Sequence, residues 1–318
     1  MQVFKIIGNN LAPLTLLGAL FAYLLPEMFL VFKHVFLWMF AATMFSLGVV
    51  VNPEEFKEVR SEGKNIFFGL LTQYSVMPLL GAAAAYLSGL PNEVALGLII
   101  VACAPGAMAS NVVVYLAGGA LAYSIVLTTV ATFISPVLTP SLVKWLGGEL
   151  LPIPFWPMMQ TILLTVVLPL ILGMLTRRFL KTGVTQLIEI APAIAVLAIV
   201  IICSYAVAAN HDRIASMGMQ LFVIVALINA SGYLFGWYLA KLYGFDKRHQ
   251  VALTIEIGMQ NAGLGVALAL KHFSPATALP GAIFAVWCIL TAAGMTAYLR
   301  KLRTNQERLA TTPVFQFL

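Results

Sequence analysis

Long apolar runs alternate along the chain with short breaks that are charged or rich in Pro and Gly. Each run is continuous, as in a buried α-helix, and lacks the strict apolar and polar alternation of a transmembrane β-strand. A helix of about 20 apolar residues crosses the hydrocarbon core of a bilayer. The pattern therefore predicts an all-α membrane protein with ten transmembrane helices, at residues 11–30, 35–51, 66–87, 93–117, 121–146, 157–175, 188–209, 219–242, 247–270 and 280–299.

Two of these runs contain residues that interrupt a helix. The fourth carries APGAMASN at residues 104–111, and the ninth carries EIGMQNAG at residues 256–263. Proline removes a backbone donor and glycine loosens the turn, so both runs are predicted to be helices broken near the middle of the membrane. Broken helices at matching places in two halves of a chain are typical of transporter binding sites.

The ten predicted helices divide into two groups of five. When each helix of the first group is paired with its counterpart in the second, their starting positions differ by 146 to 159 residues. Because five is odd, the second group must enter the membrane from the opposite side. The chain is therefore predicted to contain two inverted repeats, residues 1–150 and 151–318, in which the broken helices 4 and 9 are equivalent.

Composition supports a chain that lies mostly within the bilayer. Hydrophobic residues make up 61% and charged residues 9% of the 318 positions. Soluble domains average roughly one half and one quarter, so no soluble domain is expected here. Cys103, Cys203 and Cys288 lie in apolar runs without metal-ligand spacing and are interpreted as packing residues. No feature of the sequence indicates an obligate protein partner.

The net charge of +6 is explained by membrane topology rather than by nucleic-acid binding. Fourteen of the eighteen Lys and Arg residues fall on the side of the predicted bundle that carries both termini. The four on the other side are Lys33, Lys144, Arg213 and Lys271. Cytoplasmic loops are enriched in basic residues, so both termini are predicted to be cytoplasmic. The basic residues are scattered through short loops, which argues against a nucleic-acid-binding surface.

Glu256 is the least expected residue, because it is the one acidic side chain placed well inside a predicted helix. A carboxylate at membrane depth costs roughly 3 kcal/mol and is retained where it pairs or lines a pathway. Gln260 and Asn261 follow it at the break, where unwound main-chain carbonyls are also available. Together these oxygens suit a hard cation such as sodium. Two other interpretations stay open: a protonated Glu256 bonded to a neighbouring helix, and amides that only satisfy the interrupted backbone.

Polar residues in other predicted helices are candidates for the same region. Ser110 and Asn111 begin the half-helix after the break in helix 4, where the helix dipole favours anions. Asn111 and Asn261 lie 150 residues apart, close to the repeat spacing, and are expected to meet where the broken helices cross. Further polar residues at depth are Ser124 and Thr128 in helix 5 and Gln73 in helix 3.

The chain resembles the bile acid:sodium symporter family, especially its bacterial members. The resemblance is carried, in order, by APGAMASNVVVYLAGG, SIVLTTVATFISP, LTIEIGMQNAGL and ALPGAIFAVW. It extends from the first predicted helix to the tenth. It implies a panel domain of helices 1, 2, 6 and 7 and a core domain of helices 3 to 5 and 8 to 10, with the broken helices 4 and 9 crossing in the core.

The resemblance also implies two sodium sites that share Glu256. The first would consist of Ser110, Asn111, Ser124, Thr128 and Glu256. The second would consist of Gln73, Glu256, Gln260 and the carbonyls of Ile257 and Met259. The substrate site would lie beside the crossing, near Asn261, Met108, Cys288 and Ile289. Met108 replaces a threonine, and Cys288 and Ile289 replace a His-Asn pair, of many bacterial relatives, so the substrate wall has lost polar groups.

The leading hypothesis is a sodium-coupled symporter of the bacterial inner membrane. It would take up an organic anion, either a bile acid or a smaller carboxylate, by alternating access with two co-transported sodium ions. A proton-coupled organic-anion carrier or exchanger that uses Glu256 is the alternative. A non-transporting receptor or a membrane enzyme is a third hypothesis. The sequence contains no nucleophile elbow, phosphate loop or pair of catalytic carboxylates, so an enzyme is not expected.

Overall fold

The computed structural model describes residues 11–51, 59–180 and 184–311, and within these ranges it contains helices and no β-strand. The helices are α1 (Leu11–Leu24), α2 (Phe36–Val50), α3 (Val59–Leu87), α4 (Asn92–Ala102), α5 (Ser110–Leu116), α6 (Leu121–Gly147), α7 (Phe155–Phe179), α8 (Val184–Ala208), α9 (His211–Leu242), α10 (Lys247–Gly258), α11 (Ala262–His272) and α12 (Pro275–Thr311). A π-helical turn, Leu163–Val167, lies within α7. A short helix, Glu27–Leu30, and a 3-10 turn, Val31–His34, connect α1 to α2.

Six helices in the described part of the chain are long and apolar enough to cross a membrane. They are Glu62–Leu87, Leu121–Gly147, Phe155–Phe179, Gln186–Ala208, His211–Leu242 and Pro275–Ala292. A bent pair, Pro13–Leu24 with Glu27–His34, would add a seventh span. Helices α2 and α4 are also apolar but have only 15 and 11 residues. Each of the ten predicted ranges overlaps a helix, and the protein is an integral, multi-pass membrane protein.

The prediction of one uninterrupted helix over residues 11–30 is wrong. Helix α1 ends at Leu24, and the next helix, which begins at Glu27, is inclined to it by 110°. Pro26 accounts for the turn, because proline has no backbone N–H and disfavours helical geometry in the residue before it, here Leu25. The first helix therefore ends six residues earlier than predicted.

The fourth and ninth predicted helices are both interrupted. Helix α4 ends at Ala102 and α5 begins at Ser110, while α10 ends at Gly258 and α11 begins at Ala262. Each interruption lies where the sequence contains a residue that weakens a helix, Pro105 in the first case and a glycine in the second. The local sequence thus explains where both helices stop.

The helices pack in two groups. In the first group, α2 lies against α7 and α8, and α8 also lies against α1. In the second, α4 contacts α3, α11 and α12, while α10 packs along α9. Buried apolar side chains fill the interior around these contacts. Both interrupted helices therefore belong to the second group.

Helix α10, which carries Glu256, has a capped N-terminus. The Asp246 carboxylate accepts hydrogen bonds from the backbone N–H groups of His249 at 3.0 Å and Arg248 at 2.8 Å. The bond from the His249 N–H is the main cause of a pKa lowered below the usual value for the Asp246 carboxyl. An N-cap of this kind stabilises a helix by about 1 kcal/mol. It gives the half-helix that carries Glu256 a defined start.

Helices α2 and α7 approach each other closely at Gly48 and Gly173. A Cβ atom on Gly48 would overlap the carbonyl oxygen of Leu170, and one on Gly173 would overlap that of Phe45. Replacing Gly173 with alanine is expected to lower the midpoint of thermal unfolding in detergent by about 2–4 °C, because overpacking costs about 1–3 kcal/mol. Gly294→Ala is the control, since a Cβ there meets nothing within 4 Å. Equal midpoints for the two variants would contradict the close approach.

Candidate functional site

The two interrupted segments lie side by side and antiparallel. The backbone N–H of Ala107 donates to the carbonyl of Met259 at 2.8 Å, and that of Asn261 donates to the carbonyl of Pro105 at 2.8 Å. These bonds form an isolated bridge between the breaks. Non-helical backbone inside a membrane protein needs such partners, because lipid supplies none. The crossing is thus held by main-chain hydrogen bonds.

Glu256 lies two residues before the end of α10 and has 1% of its surface exposed. Its Oε1 accepts hydrogen bonds from the hydroxyls of Ser110 and Ser124, and its Oε2 accepts one from Thr128 at 2.8 Å. Ser110 is the first residue of α5, and Ser124 and Thr128 are one turn apart on α6. Helices from both halves of the chain therefore converge on one carboxylate.

Asn111 completes a cluster of oxygen atoms around this carboxylate. Its Oδ1 lies 2.7 Å from the Ser124 hydroxyl and 3.4 Å from the Thr128 hydroxyl. A hydroxyl has a single proton, so Ser124 cannot donate to Asn111 and Glu256 at the same time. The Ser124 hydroxyl therefore satisfies only one of these two acceptor oxygens at a time.

No basic side chain neutralises Glu256. Within the described residues, its carboxylate forms no ion pair with Lys, Arg or His. A buried carboxylate is costly unless it is paired with a positive charge or protonated. The surrounding donor set consists of carboxylate, amide and hydroxyl oxygens, which suit a hard cation, and it carries a single negative charge. The structure thus brings together all five side chains predicted for the first sodium site, and their chemistry fits that ion.

The residues predicted for the second sodium site are also close together, but they bond to one another. The Nε2 of Gln73, in α3, donates to Gln260 Oε1 at 2.8 Å and to the carbonyl of Ala104 at 3.1 Å. Gln260 donates to the carbonyl of Ile257 at 3.0 Å, while the carbonyl of Met259 accepts the bond from the other break. Amide protons therefore already occupy Gln260 Oε1 and the carbonyls of Ile257 and Met259, whereas the Glu256 oxygens of the first set accept hydroxyl protons.

Three of the four residues predicted to contact substrate share one crevice. Asn261, Cys288 and Ile289 line a cavity of about 50 Å³ between the second break and α12. The Oδ1 of Asn261 accepts the backbone N–H of Leu264 at 3.1 Å and so caps α11. Asn111 bonds instead to the hydroxyls of α6, so the two asparagines that were expected to meet have different partners. Two amide residues, Gln260 and Asn261, line the crevice within a mostly apolar wall.

Met108, the fourth predicted substrate residue, does not line this crevice, although its chain neighbours Ala107 and Ala109 do. It packs against Val51, which follows α2, and Leu170 of α7. Partly buried apolar side chains around this contact are Leu47, Phe133 and Met174. Met108 therefore belongs to an apolar contact between the second helix group and the first.

Asn229 of α9 supports the second break but was absent from the predicted site. Its Nδ2 donates to the carbonyl of Gly258 at 2.8 Å, and its Oδ1 accepts from the hydroxyl of Thr291 at 2.9 Å. The ring of Tyr233 packs so closely on Gly258 that a Cβ there would overlap it. A lone amide within the apolar segment ALINASG was the available signal for Asn229. The packing of Tyr233 had no such signal.

Comparison with known proteins identifies the relatives of this chain. It is 39% identical over 258 residues to an uncharacterized sodium-dependent transporter, YocS, of Bacillus subtilis (strain 168), covering 81% of this chain and 80% of that protein. It is 38% identical over 246 residues to the probable sodium/metabolite cotransporter BASS1, chloroplastic, of Oryza sativa subsp. japonica. The BASS1 protein of Arabidopsis thaliana is 36% identical over 245 residues. Each plant alignment covers 77% of this chain, which spans only 60% and 61% of the two plant proteins.

A family model matches a part of the chain that contains several of the predicted site residues. The model describes the Sodium Bile acid symporter family and matches residues 37–217, which is more than half of the chain. This range includes Gln73, Ser110, Asn111, Ser124 and Thr128. The relatives named above are transporters and not enzymes. The chain belongs to the sodium bile acid symporter family.

Proposed function

We propose that this protein is a sodium-coupled symporter that carries an organic anion. One observation carries the proposal: the buried carboxylate of Glu256 has no ion-pair partner among the described residues and lies within a cluster of neutral oxygens beside the crossing of two interrupted helices. A sodium ion in this cluster would supply the missing positive charge. The names of the relatives, a sodium-dependent transporter and sodium/metabolite cotransporters, agree with this ion.

Two sodium ions are proposed to move with each substrate molecule. The first would bind Ser110, Asn111, Ser124, Thr128 and Glu256, whose oxygens already face one another. The second would bind Gln73, Glu256, Gln260 and the carbonyls of Ile257 and Met259. Three of its oxygens, Gln260 Oε1 and the carbonyls of Ile257 and Met259, accept amide protons in this structure, so the bond between Gln73 and Gln260 is expected to open when sodium binds there. The first ion is therefore expected to bind more tightly.

The substrate is proposed to be a carboxylate that binds beside the crossing. Asn261, Cys288 and Ile289 would form its wall, and the Nδ2 of Asn261 together with the N-terminus of α11 would attract its negative charge. The crevice of about 50 Å³ is smaller than the roughly 300–1,000 Å³ typical of ligand pockets, so it would have to widen even for a small organic acid. A bile acid would enter only after the two helix groups separate. Met108 would then act at the contact between the groups rather than in the crevice.

The proposed architecture has ten transmembrane spans in two inverted repeats, residues 1–150 and 151–318. Helices α4 and α5 would form the fourth span and α10 and α11 the ninth, and their breaks pair with each other. Helices α1, α2, α7 and α8 would form the panel, and the others the core. Alternating access would move the core against the panel and break the apolar contact of Met108. The distribution of Lys and Arg supports cytoplasmic termini in a bacterial inner membrane.

Coupling follows from a shared conformational equilibrium. Sodium favours one set of conformations only to the extent that it binds them better than the others. Substrate and sodium are therefore expected to raise each other's affinity by the same factor. The short distance along α10 and the second break from Glu256 to Asn261 provides the route, because a change at one alters the backbone that positions the other.

Uptake into proteoliposomes tests the proposal. A radiolabelled bile acid and a panel of small monocarboxylates would be offered with an inward gradient of sodium, of potassium or of protons. With the sodium gradient alone, the carboxylate concentration inside the proteoliposomes is expected to reach at least about ten times that outside. The reason is that an ion gradient coupled to uptake concentrates the substrate. Accumulation driven by protons in the absence of sodium would favour the proton-coupled alternative. Flux that ignores both gradients would overturn symport.

A further inference from the structure

A second cavity, whose lining shares no residue with the crevice at the crossing, lies where α7, α11 and the start of α2 meet. Its volume is about 660 Å³. Ligand pockets for small molecules typically measure about 300–1,000 Å³, so a compact organic molecule fits. The cavity is formed between the first helix group, which supplies α2 and α7, and the second, which supplies α11. It therefore occupies the same interface that the proposed transport cycle opens and closes.

Two Lys-His pairs line this cavity, and they are the only Lys-His pairs in the sequence. Lys33 and His34 are the last two residues of the 3-10 turn before α2. Lys271 and His272 are the last two residues of α11. Basic residues at the C-terminal end of a helix are favourable by themselves. That effect does not explain why two such ends, 238 positions apart, converge on one cavity. Their convergence indicates a shared role.

The location of these charges is unusual for a membrane protein. In the proposed orientation they lie on the external side, which has only four of the eighteen Lys and Arg residues. Lys33 and Lys271 are two of those four. Neither forms an ion pair within the described residues, and both are exposed. Half of the Lys and Arg residues on the external side therefore lie around this cavity, and no carboxylate in its lining compensates their charge.

The rest of the lining suits an amphipathic anion. Gln160 and Thr161 of α7 provide polar groups, and the Thr161 hydroxyl lies 2.9 Å from His272 Nε2. Phe36 and Trp38 provide an apolar wall. No Asp or Glu is among the residues that line the cavity. Two ammonium groups with polar and aromatic neighbours favour a carboxylate that carries an apolar body.

Helix α2 links this cavity to the wall of the crevice at the crossing. Leu37 and Ala41 of α2 line the large cavity, and Phe40 on the same helix is fully buried. A Cβ atom on Gly263 would lie 3.3 Å from the Phe40 ring, and Gly263 lines the crevice with Asn261. Phe40 therefore packs on the wall of the crevice from the same helix that lines the large cavity. An anion in the large cavity would lie on the α2 side of the proposed substrate site.

We propose that this cavity is an external binding site for organic carboxylates, which holds the anion with Lys33 and Lys271 before it reaches the crossing. Its role in transport rests on the proposed function, whereas binding itself does not require sodium, because none of the proposed sodium ligands lines the cavity. The site raises the local concentration of substrate through the field of two positive charges. It is expected to affect the KM for the anion rather than the maximal rate.

Trp38 provides a direct test of binding. It lines the cavity and is 77% exposed, so a bound nitroxide would quench its fluorescence. The probes are 4-carboxy-TEMPO, which is anionic, and the neutral 4-hydroxy-TEMPO. The full-length protein would be held in phosphatidylcholine nanodiscs in a sodium-free choline buffer. Quenching is expected to saturate with the carboxylate probe only, and to disappear in Trp38→Phe.

The variant that tests the charges is Lys33→Gln combined with Lys271→Gln. Its apparent Kd for the carboxylate probe is expected to rise about fivefold or more, and the increase should shrink at high ionic strength because salt screens exposed charges. Lys144→Gln combined with Arg213→Gln removes the same charge from the same side and should leave Kd unchanged, since neither residue lines the cavity. Equal quenching by both probes, or an unchanged Kd in the first variant, would overturn the proposal.

Two further measurements separate the possible occupants and the two proposals. Addition of phosphatidylglycerol to the discs should leave quenching by the carboxylate probe intact. A loss of quenching would show that a lipid headgroup fills the site, and it would overturn the assignment to a soluble carboxylate. In proteoliposomes the Lys33 and Lys271 variant should raise the KM about fivefold with an unchanged maximal rate. Quenching without sodium-driven uptake would remove the proposed function and keep the binding site. Sodium-driven uptake without quenching would keep the proposed function and overturn the external binding site.

Discussion

Replacing Glu256 with glutamine is expected to weaken sodium-driven uptake strongly while the protein still folds. Glutamine has nearly the same shape, but it removes the negative charge from the cluster formed with Ser110, Ser124 and Thr128. Its NH2 group also places protons where a cation would bind. A charge-assisted contact of this kind is worth about 3 kcal/mol, so the apparent affinity for sodium should fall roughly 100-fold. Uptake measured as a function of sodium concentration gives this affinity.

A second measurement keeps the Glu256 prediction independent of transport. A ligand that binds the folded state raises the midpoint of thermal unfolding. Sodium, compared with potassium at equal ionic strength, should therefore stabilise the wild type and leave Glu256→Gln unchanged. Glu62→Gln is the matched control, because Glu62 bonds to Asn65 and His249 away from the cluster. If sodium raised the unfolding midpoint of Glu256→Gln as much as that of the wild type, Glu256 would be ruled out as a sodium ligand.

Replacing Gly106 with alanine is expected to weaken sodium binding at least about tenfold. A Cβ atom at this position would lie 2.7 Å from Glu256 Oε2, closer than real Cβ contacts. Glu256 is enclosed by three hydroxyls, so the carboxylate must move away from Thr128 or the bridge between the breaks must shift. Either change alters the spacing of the oxygens, and a loss of about 1.4 kcal/mol corresponds to a factor of ten. The sodium concentration for half-maximal uptake reports this change.

Gly63→Ala is the matched control for the Gly106 variant. A Cβ on Gly63 meets nothing within 4 Å, and alanine favours a helix by about 1 kcal/mol over glycine, so α3 should be unaffected or slightly stabilised. The control is therefore expected to keep wild-type sodium affinity. If Gly106→Ala also keeps it, the carboxylate has more freedom than its contacts indicate, and the close approach of the first break to Glu256 has no functional role.

The polar residues of the site could be recognised in the sequence because each violates a local rule. Glu256 is a charge inside an apolar run, and the breaks on which Ser110 and Gln260 lie contain Pro or Gly. Such violations at membrane depth point to function. Met108 obeys the local rules, since it is an apolar residue in an apolar run, and only its packing against Leu170 reveals where it acts. The bend after Leu24 has a local signal, Pro26, but the 110° angle between the two helices is a property of the tertiary structure.

Local sequence determined the membrane class, the places where helices stop and the candidate polar residues. Run length and the chemistry of proline and glycine act within a few residues, so they can be interpreted without a fold. The tertiary structure alone decided which side chains meet. Ser124 and Thr128 lie 132 and 128 positions from Glu256, yet both contact its carboxylate. Lys33 and Lys271 converge on one cavity for the same reason: contacts between distant residues depend on how helices pack, which no local pattern specifies.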